Sequence, residues 1–325
     1  MLSKEKTRLK WLDIAKGIGM MFIILSHTSG GRNNWMANVY LPFYLTIFFF
    51  SSGYLFKENL SFKDECVYVL RHLVIPWMSF GTINAILSFA IEHENLMNRM
   101  MGLVLQTSSQ YSDMWFLACM ASTHILFWIL AKIIGGGYPS TILLASVVIN
   151  VVGGLYSKYC GIALLWRFQA ALLYVLYFAL GYVYRKHESQ CGPFQSIKNI
   201  CLMILIYCLI LVQFHKNTAV NDSIGDVVIS TVGVALIVIL SGKIEHCKVL
   251  EFIGQNTLVY YAFQSKFIKV FELIATKIGF NADDILVCIG VTVLTALLLC
   301  VPSVIVKKYF PFLLGRRLSS RRKAV

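Results

Sequence analysis

The chain has 325 residues, of which 58% are hydrophobic and only 14% charged, with a net charge of +13 and a mean hydropathy of +0.69. A soluble domain carries about a quarter of its residues as charges, so the composition excludes a soluble fold and indicates an all-α polytopic membrane protein. The basic excess gathers at the ends (Lys4, Lys6, Arg8, Lys10; Arg316, Arg317, Arg321, Arg322, Lys323), beside apolar segments, which suits anionic headgroups and leaves no soluble basic domain for nucleic acid.

At about 20 apolar residues per crossing, ten spans are predicted, near 12–30, 39–56, 73–91, 113–132, 139–156, 163–184, 197–214, 225–241, 253–274 and 285–306. They form a single bundle over 1–325, with 1–10 and 307–325 as basic cytoplasmic ends. With both termini inside, the alternate segments hold twenty basic residues inside and eight outside, the bias expected of cytoplasmic loops. The first apolar run is broken by Asp13 and Lys16 and no small-residue cleavage site follows, so it reads as a retained helix. The nine cysteines are scattered without a C-x-x-C, which indicates neither a disulfide framework nor a metal site.

The first span, "WLDIAKGIGMMFIILSH", carries Asp13, Lys16 and His27. A charge in hydrocarbon costs a few kcal/mol even on lenient scales, so such groups face a bundle interior. His27 lies eleven positions after Lys16, about 20° from three full turns and about 16 Å along the axis. Both therefore lie on one face, and Asp13 can pair with Lys16 from the adjoining turn. Gly17 and Gly19 permit close helix approach. The plainer alternative is an interfacial ion pair and a packing histidine. His124 has no such company and is expected to be structural.

Further along, "LPFYLTIFFFSSGYLFKE" (41–58) offers a small Ser51-Ser52-Gly53 patch inside an aromatic run. In "RHLVIPWMSF" (71–80), Pro76 loosens a helix start beside Arg71, whose forked donors suit a phosphate or simply add to the inside charge. "MWFLACM" (114–120) puts Trp115 at a helix start. In "LEFIGQNTLVYYAFQ" (250–264), Gly254 ends one element, Asn256 or Thr257 is expected to cap the next, and Tyr260, Tyr261 and Gln264 follow.

In this order, these five stretches resemble the integral-membrane acyltransferase family 3, in particular its fucose 4-O-acetylase-like branch. The family pattern opens with an "LDxxKG" segment whose basic residue precedes a histidine by ten intervening residues, here Lys16 and His27. An "FFFxSGYLF" block, an "R…L.IPW/Y" block, "WFL" and a late "G.NSL..Y" block follow, matched by Phe48–Phe56, Arg71–Trp77, Trp115–Leu117 and Gly254–Tyr261. Two departures stand out. Tyr44 and Thr46 replace the His and Pro of "FHMPLFFF", and Gln264 stands where relatives often carry a His.

The resemblance implies a ten-helix enzyme of a bacterial cell membrane. It would move an acetyl or other short acyl group from a cytoplasmic acyl-CoA, the donor substrate, to a hydroxyl of an extracytoplasmic glycan or lipid-linked sugar. No cofactor or metal is expected. His27 would be the essential histidine, with Lys16 as basic partner and Asp13 orienting it. Arg71, Ser52, Tyr54, Trp115, Asn256, Tyr260 and Gln264 would contact the substrates. An imidazole suits a general base or a transient nucleophile. A glycan-precursor transporter or flippase and a non-catalytic subunit of a polysaccharide assembly machine are the competing classes.

Overall fold

The computed structural model describes residues 9–33, 35–107, 114–188, 197–214, 224–244 and 246–316. The basic clusters before Leu9 and after Arg316 lie outside these residues. Among them no strand occurs, and each of the ten predicted stretches contains helix, with 39–56 interrupted by turns at 41–45 and 253–274 interrupted at Asn256. In chain order the helices are α1 (Lys10–Ser26), α2 (Ala37–Tyr40), α3 (Thr46–Leu55), α4 (Phe62–Val69), a π turn (Leu70–Val74), α5 (Ile75–Glu92), α6 (Leu96–Leu105) and α7 (Trp115–Ile134). They continue with α8 (Pro139–Tyr159), α9 (Phe168–His187), α10 (Ile197–Phe214), α11 (Ile224–Lys243), α12 (Lys248–Gln255), α13 (Thr257–Lys277), α14 (Ile285–Leu298) and α15 (Cys300–Tyr309).

Five helical stretches among the described residues are long and apolar enough to cross a membrane: Phe62–Glu92, Trp115–Ile134, Pro139–Tyr159, Gly225–Lys243 and Ile285–Tyr309. Three shorter apolar helices (Thr46–Leu55, Leu96–Leu105 and Asn199–Val212) accompany them. The protein is thus a multi-pass membrane protein. α1 has 17 residues, and α9 and α13 carry polar side chains along much of their length. Helices of this kind are held by neighbours rather than by lipid.

Two departures from the sequence expectation have physical causes. The third predicted span begins earlier, because Ser61 caps α4 by accepting the Asp64 N–H at 3.2 Å, and α4 runs on into α5. Pro76, with no N–H and a ring that crowds the carbonyl four residues back, follows directly on the π turn that carries Arg71 and His72. The expected cap at 256–257 is also absent. Asn256 turns its Nδ2 back to the Phe252 carbonyl at 2.7 Å, and no side chain caps α13.

Close backbone contacts position α1. A side chain at Gly17 would strike the Leu250 carbonyl, and one at Gly254 the Asp13 carbonyl, so α1 and α12 meet backbone to backbone. Gly53 and Gly181 do the same for α3 and α9 against Phe178 and Phe50. Without Cβ atoms, dispersion and weak backbone contacts replace the hydrophobic drive that lipid cannot supply. α1 is thereby inserted among α3, α11, α12, α13 and α14.

Candidate active site

α1 has a charged end and a histidine end. At the first, Lys16 Nζ lies 2.9 Å from Asp13 Oδ1, with Asp13 buried and Lys16 half-buried. Trp11 packs edge-on against Tyr54 and Tyr184, which sets this end beside the C-terminal ends of α3 and α9. Lys10 reaches His246 at 3.2 Å, just ahead of α12.

His27 is the first residue beyond α1. Its Nδ1 lies 2.8 Å from the Ile23 carbonyl oxygen and 3.2 Å from Ser26 Oγ, while Ser26 Oγ donates to the same carbonyl at 2.8 Å. A carbonyl oxygen only accepts, so Nδ1 carries the proton, an assignment made from the hydrogen-bond network. The lone pair of the neutral ring is therefore on Nε2. His27 is solvent-accessible. The Tyr44 hydroxyl interacts with Ser26, and the Arg32 charge reaches both Tyr44 and His27.

The charged and histidine ends are joined by α13, which runs alongside α1. Gly254, at the end of α12 just before it, lies against Asp13, and the Glu272 carboxylate near the end of α13 accepts the Ser29 N–H at 2.6 Å. Gln264 falls between these levels. It is 1% exposed, and its Oε1 finds no hydrogen-bond partner among the described residues. An unmet acceptor in the interior costs about 1–3 kcal/mol.

Three of the five motif blocks meet at Phe116. Phe116 of the "WFL" block packs against Phe48 and Phe49 of α3 and Tyr261 of α13. Trp115 is half-buried against Phe116. Ser52 is half-buried on α3, and Tyr54 donates to Glu188 at 2.6 Å. Arg71 is exposed on the π turn, and its backbone is covered by Gly315, whose φ of +65° only glycine adopts readily. Asn256 is spent on the Phe252 carbonyl. Tyr260 is fully buried, its hydroxyl donating to the Ala296 carbonyl at 2.9 Å, which ties α13 to α14. The structure thus gathers Asp13 with Lys16 at one end and leaves His27 at the other. A recess of about 550 Å³ near Tyr54 is lined by Lys57, Glu58, Asn59, Tyr182, Arg185 and Lys186.

A family model described as an acyltransferase domain matches residues 9–306. The chain belongs to the acyltransferase 3 family. Neither a curated protein nor a solved structure matches it. As an acyltransferase 3 protein it is a multi-pass membrane acyltransferase, and the match includes α1 through most of α15. Three polar residues around His27 escaped the motif reading. Ser26 is adjacent to it in sequence, Arg32 follows five residues later, and Tyr44 marks the departure from the family's "FHMPLFFF". Only the departure at Tyr44 was a signal visible in sequence. A buried hydrogen bond, His124 Nδ1 to Glu65 Oε1 at 3.0 Å, was equally hidden, because nothing in sequence links α4 to α7.

Proposed function

We propose that this acyltransferase 3 protein, a single ten-span bundle with cytoplasmic termini in a bacterial cell membrane, is an O-acyltransferase. It takes acetyl or another short acyl group from acyl-CoA on the Lys16 side. It delivers that group to a hydroxyl of a cell-surface polysaccharide or lipid-linked sugar on the His27 side. The observation that carries this reading is the His27 tautomer, with Nδ1–H engaged by Ile23 and Nε2 left for chemistry on a solvent-accessible ring.

In the reaction, Nε2 takes the proton of the acceptor hydroxyl as its oxygen attacks the thioester carbonyl. The new C–O bond forms, the C–S bond breaks, and the proton passes from His27 to the departing thiolate. Lys16, held by Asp13, and Arg71 answer the donor's phosphates. Lys57, Arg185 and Lys186 offer further cations in the 550 Å³ recess. The pantetheine arm bridges the roughly 16 Å between Lys16 and His27, and the Gln264 amide lies along that path to meet the arm's own amides.

The test uses membrane vesicles with labelled acetyl-CoA and extracted glycan acceptor. Wild type should yield labelled ester, and His27→Ala should lose it by about 10²-fold or more. Equal incorporation in both would remove His27 from the chemistry. No incorporation in either, with an active control enzyme, would favour a transporter or an assembly subunit.

A further inference from the structure

The loop after α1 folds back over the helix end. Gly31 N donates to the Thr28 carbonyl at 3.0 Å, Asn33 N to that of Gly30 at 3.2 Å, and the Tyr40 hydroxyl to that of Gly31. This return brings Arg32 to the last turn, where its Nε donates to the Ser26 carbonyl at 3.0 Å. A cation at orphan helix carbonyls is a normal cap, and it fixes the guanidinium in place.

The cap uses only part of the group. A guanidinium has five N–H donors in a rigid fork, and engaging Nε leaves both Nη nitrogens for an end-on, two-point grip on a planar oxyanion. Among the described residues Arg32 joins no ion pair. Of the acids at this loop, Glu272 is taken up by the Ser29 N–H at 2.6 Å, and Asp283 lies with its backbone carbonyl against Gly30. Arg32 is exposed, as is His27. The Arg32 Nε sits on the carbonyl of the residue that precedes His27, so the guanidinium and the imidazole lie at the same helix end.

We propose that Arg32 and His27 form an anion subsite, in which Arg32 holds a carboxylate or phosphate of the acceptor while His27 takes the proton of a neighbouring hydroxyl. The acceptor class is then an acidic glycan, bearing a uronate or a phosphate close to the hydroxyl that is acylated. The inference rests on the reading of His27 as the base. It adds a specificity-determining residue that binds substrate through charge, and it explains why the position carries arginine, since a lysine is a point charge without the fork.

The test needs no knowledge of the natural acceptor. Iodoacetate and iodoacetamide alkylate imidazoles with the same carbon and differ in carrying a carboxylate or a neutral amide. The full chain, in phosphatidylcholine nanodiscs with its thiols first blocked by N-ethylmaleimide, is treated with each reagent. Alkylation at His27 is then timed by peptide mass spectrometry. Iodoacetate should react about tenfold faster than iodoacetamide at His27, because Arg32 holds its carboxylate beside the ring. Arg32→Gln should bring the ratio to about one, and Arg32→Lys should keep part of it. His93, exposed beside Glu92 and Glu94, is the control and should not respond to either substitution.

Inorganic phosphate should slow iodoacetate but not iodoacetamide if phosphate fits the subsite. Slowing by glucuronate alone assigns it to carboxylates. Equal rates in wild type, a preference that survives Arg32→Gln, or no alkylation of His27 by either reagent overturns the proposal. Acetyl transfer by the same preparation separates the two readings. Transfer without the preference removes the subsite alone, and the preference without transfer removes the enzyme reading while keeping the subsite.

Discussion

The His27 ring is anchored to its own helix through Ile23, whose carbonyl oxygen lies 2.8 Å from Nδ1. A helix ends with carbonyls that have no N–H to accept, and here one of them selects the tautomer of the ring. The sequence spacing that put Lys16 and His27 on one face says nothing of this contact. It arises because the chain leaves the helix at the histidine itself.

Ser26 shares that carbonyl and lies 3.2 Å from Nδ1, so it steadies the ring without defining it. Ser26→Ala should lower kcat by about three- to tenfold, the scale of one hydrogen bond of about 1 kcal/mol. The KM for acyl-CoA should stay unchanged. A loss as large as that of His27→Ala would make Ser26 a participant in the proton transfer.

Gln264 sets stability against activity. Replacing its unmet amide by Leu removes a buried polar group without a partner, which should leave thermal stability equal or higher. The same change should cut acyl transfer by about tenfold or more if the amide meets the donor arm. A Gln264→Leu protein that is destabilised and fully active would contradict both halves. Thermal unfolding followed beside initial rates decides it.

The α1–α12 contact has no spare room. In Gly254→Ala a methyl group meets the Asp13 carbonyl, and backbone cannot swing aside as a side chain can. Overpacking of this kind costs about 1–3 kcal/mol, so the unfolding midpoint should fall. The Asp13–Lys16 pair should be displaced along with α1. Gly290, whose Cβ would meet nothing within 4 Å, provides the control, and Gly290→Ala should be silent.

Glu58, in the loop between α3 and α4, gives a pH signature. Partial burial pushes its carboxyl up, but hydrogen bonds from Lys186 and Tyr182, with the Lys186 and Arg185 charges, bring it below the ordinary value of 4.5. A carboxyl lowered on folding adds stability that is fully present above the unfolded value and is lost as pH falls through the folded one. The unfolding midpoint of wild type should therefore drop between about pH 5 and pH 3 more than that of Glu58→Gln. Parallel curves for the two proteins would refute the assignment.

Much of the helical layout was legible because lipid imposes a length and a composition on each crossing segment. Asp13–Lys16 was legible because pairing at three residues' separation is a property of one helix. What stayed hidden depends on contacts between distant segments. Asn256 was expected to cap forward and instead bonds backward, since both conformations satisfy one backbone group and tertiary packing chooses between them. Arg32 looked like one of a few outer charges until the loop after His27 was seen to fold over the helix end. Glu65 and His124 meet only once α4 and α7 are docked.

The π turn at Leu70–Val74 also works as a register adjuster. Glu65 and Trp77 are 2% and 1% exposed, and they stand twelve positions apart. On an uninterrupted α-helix that separation would leave them about 120° out of line. The wider turn unwinds part of that angle, so one long helix shows a buried face on both sides of Arg71. Removing a single residue within 70–74 would leave Glu65 and Trp77 eleven positions apart, about 20° from alignment on an ordinary α-helix, so α4 and α5 would keep their buried faces in step. Adding a residue there would instead rotate α4 by about 100°, and the His124 contact would part while every side chain that makes it remained in place.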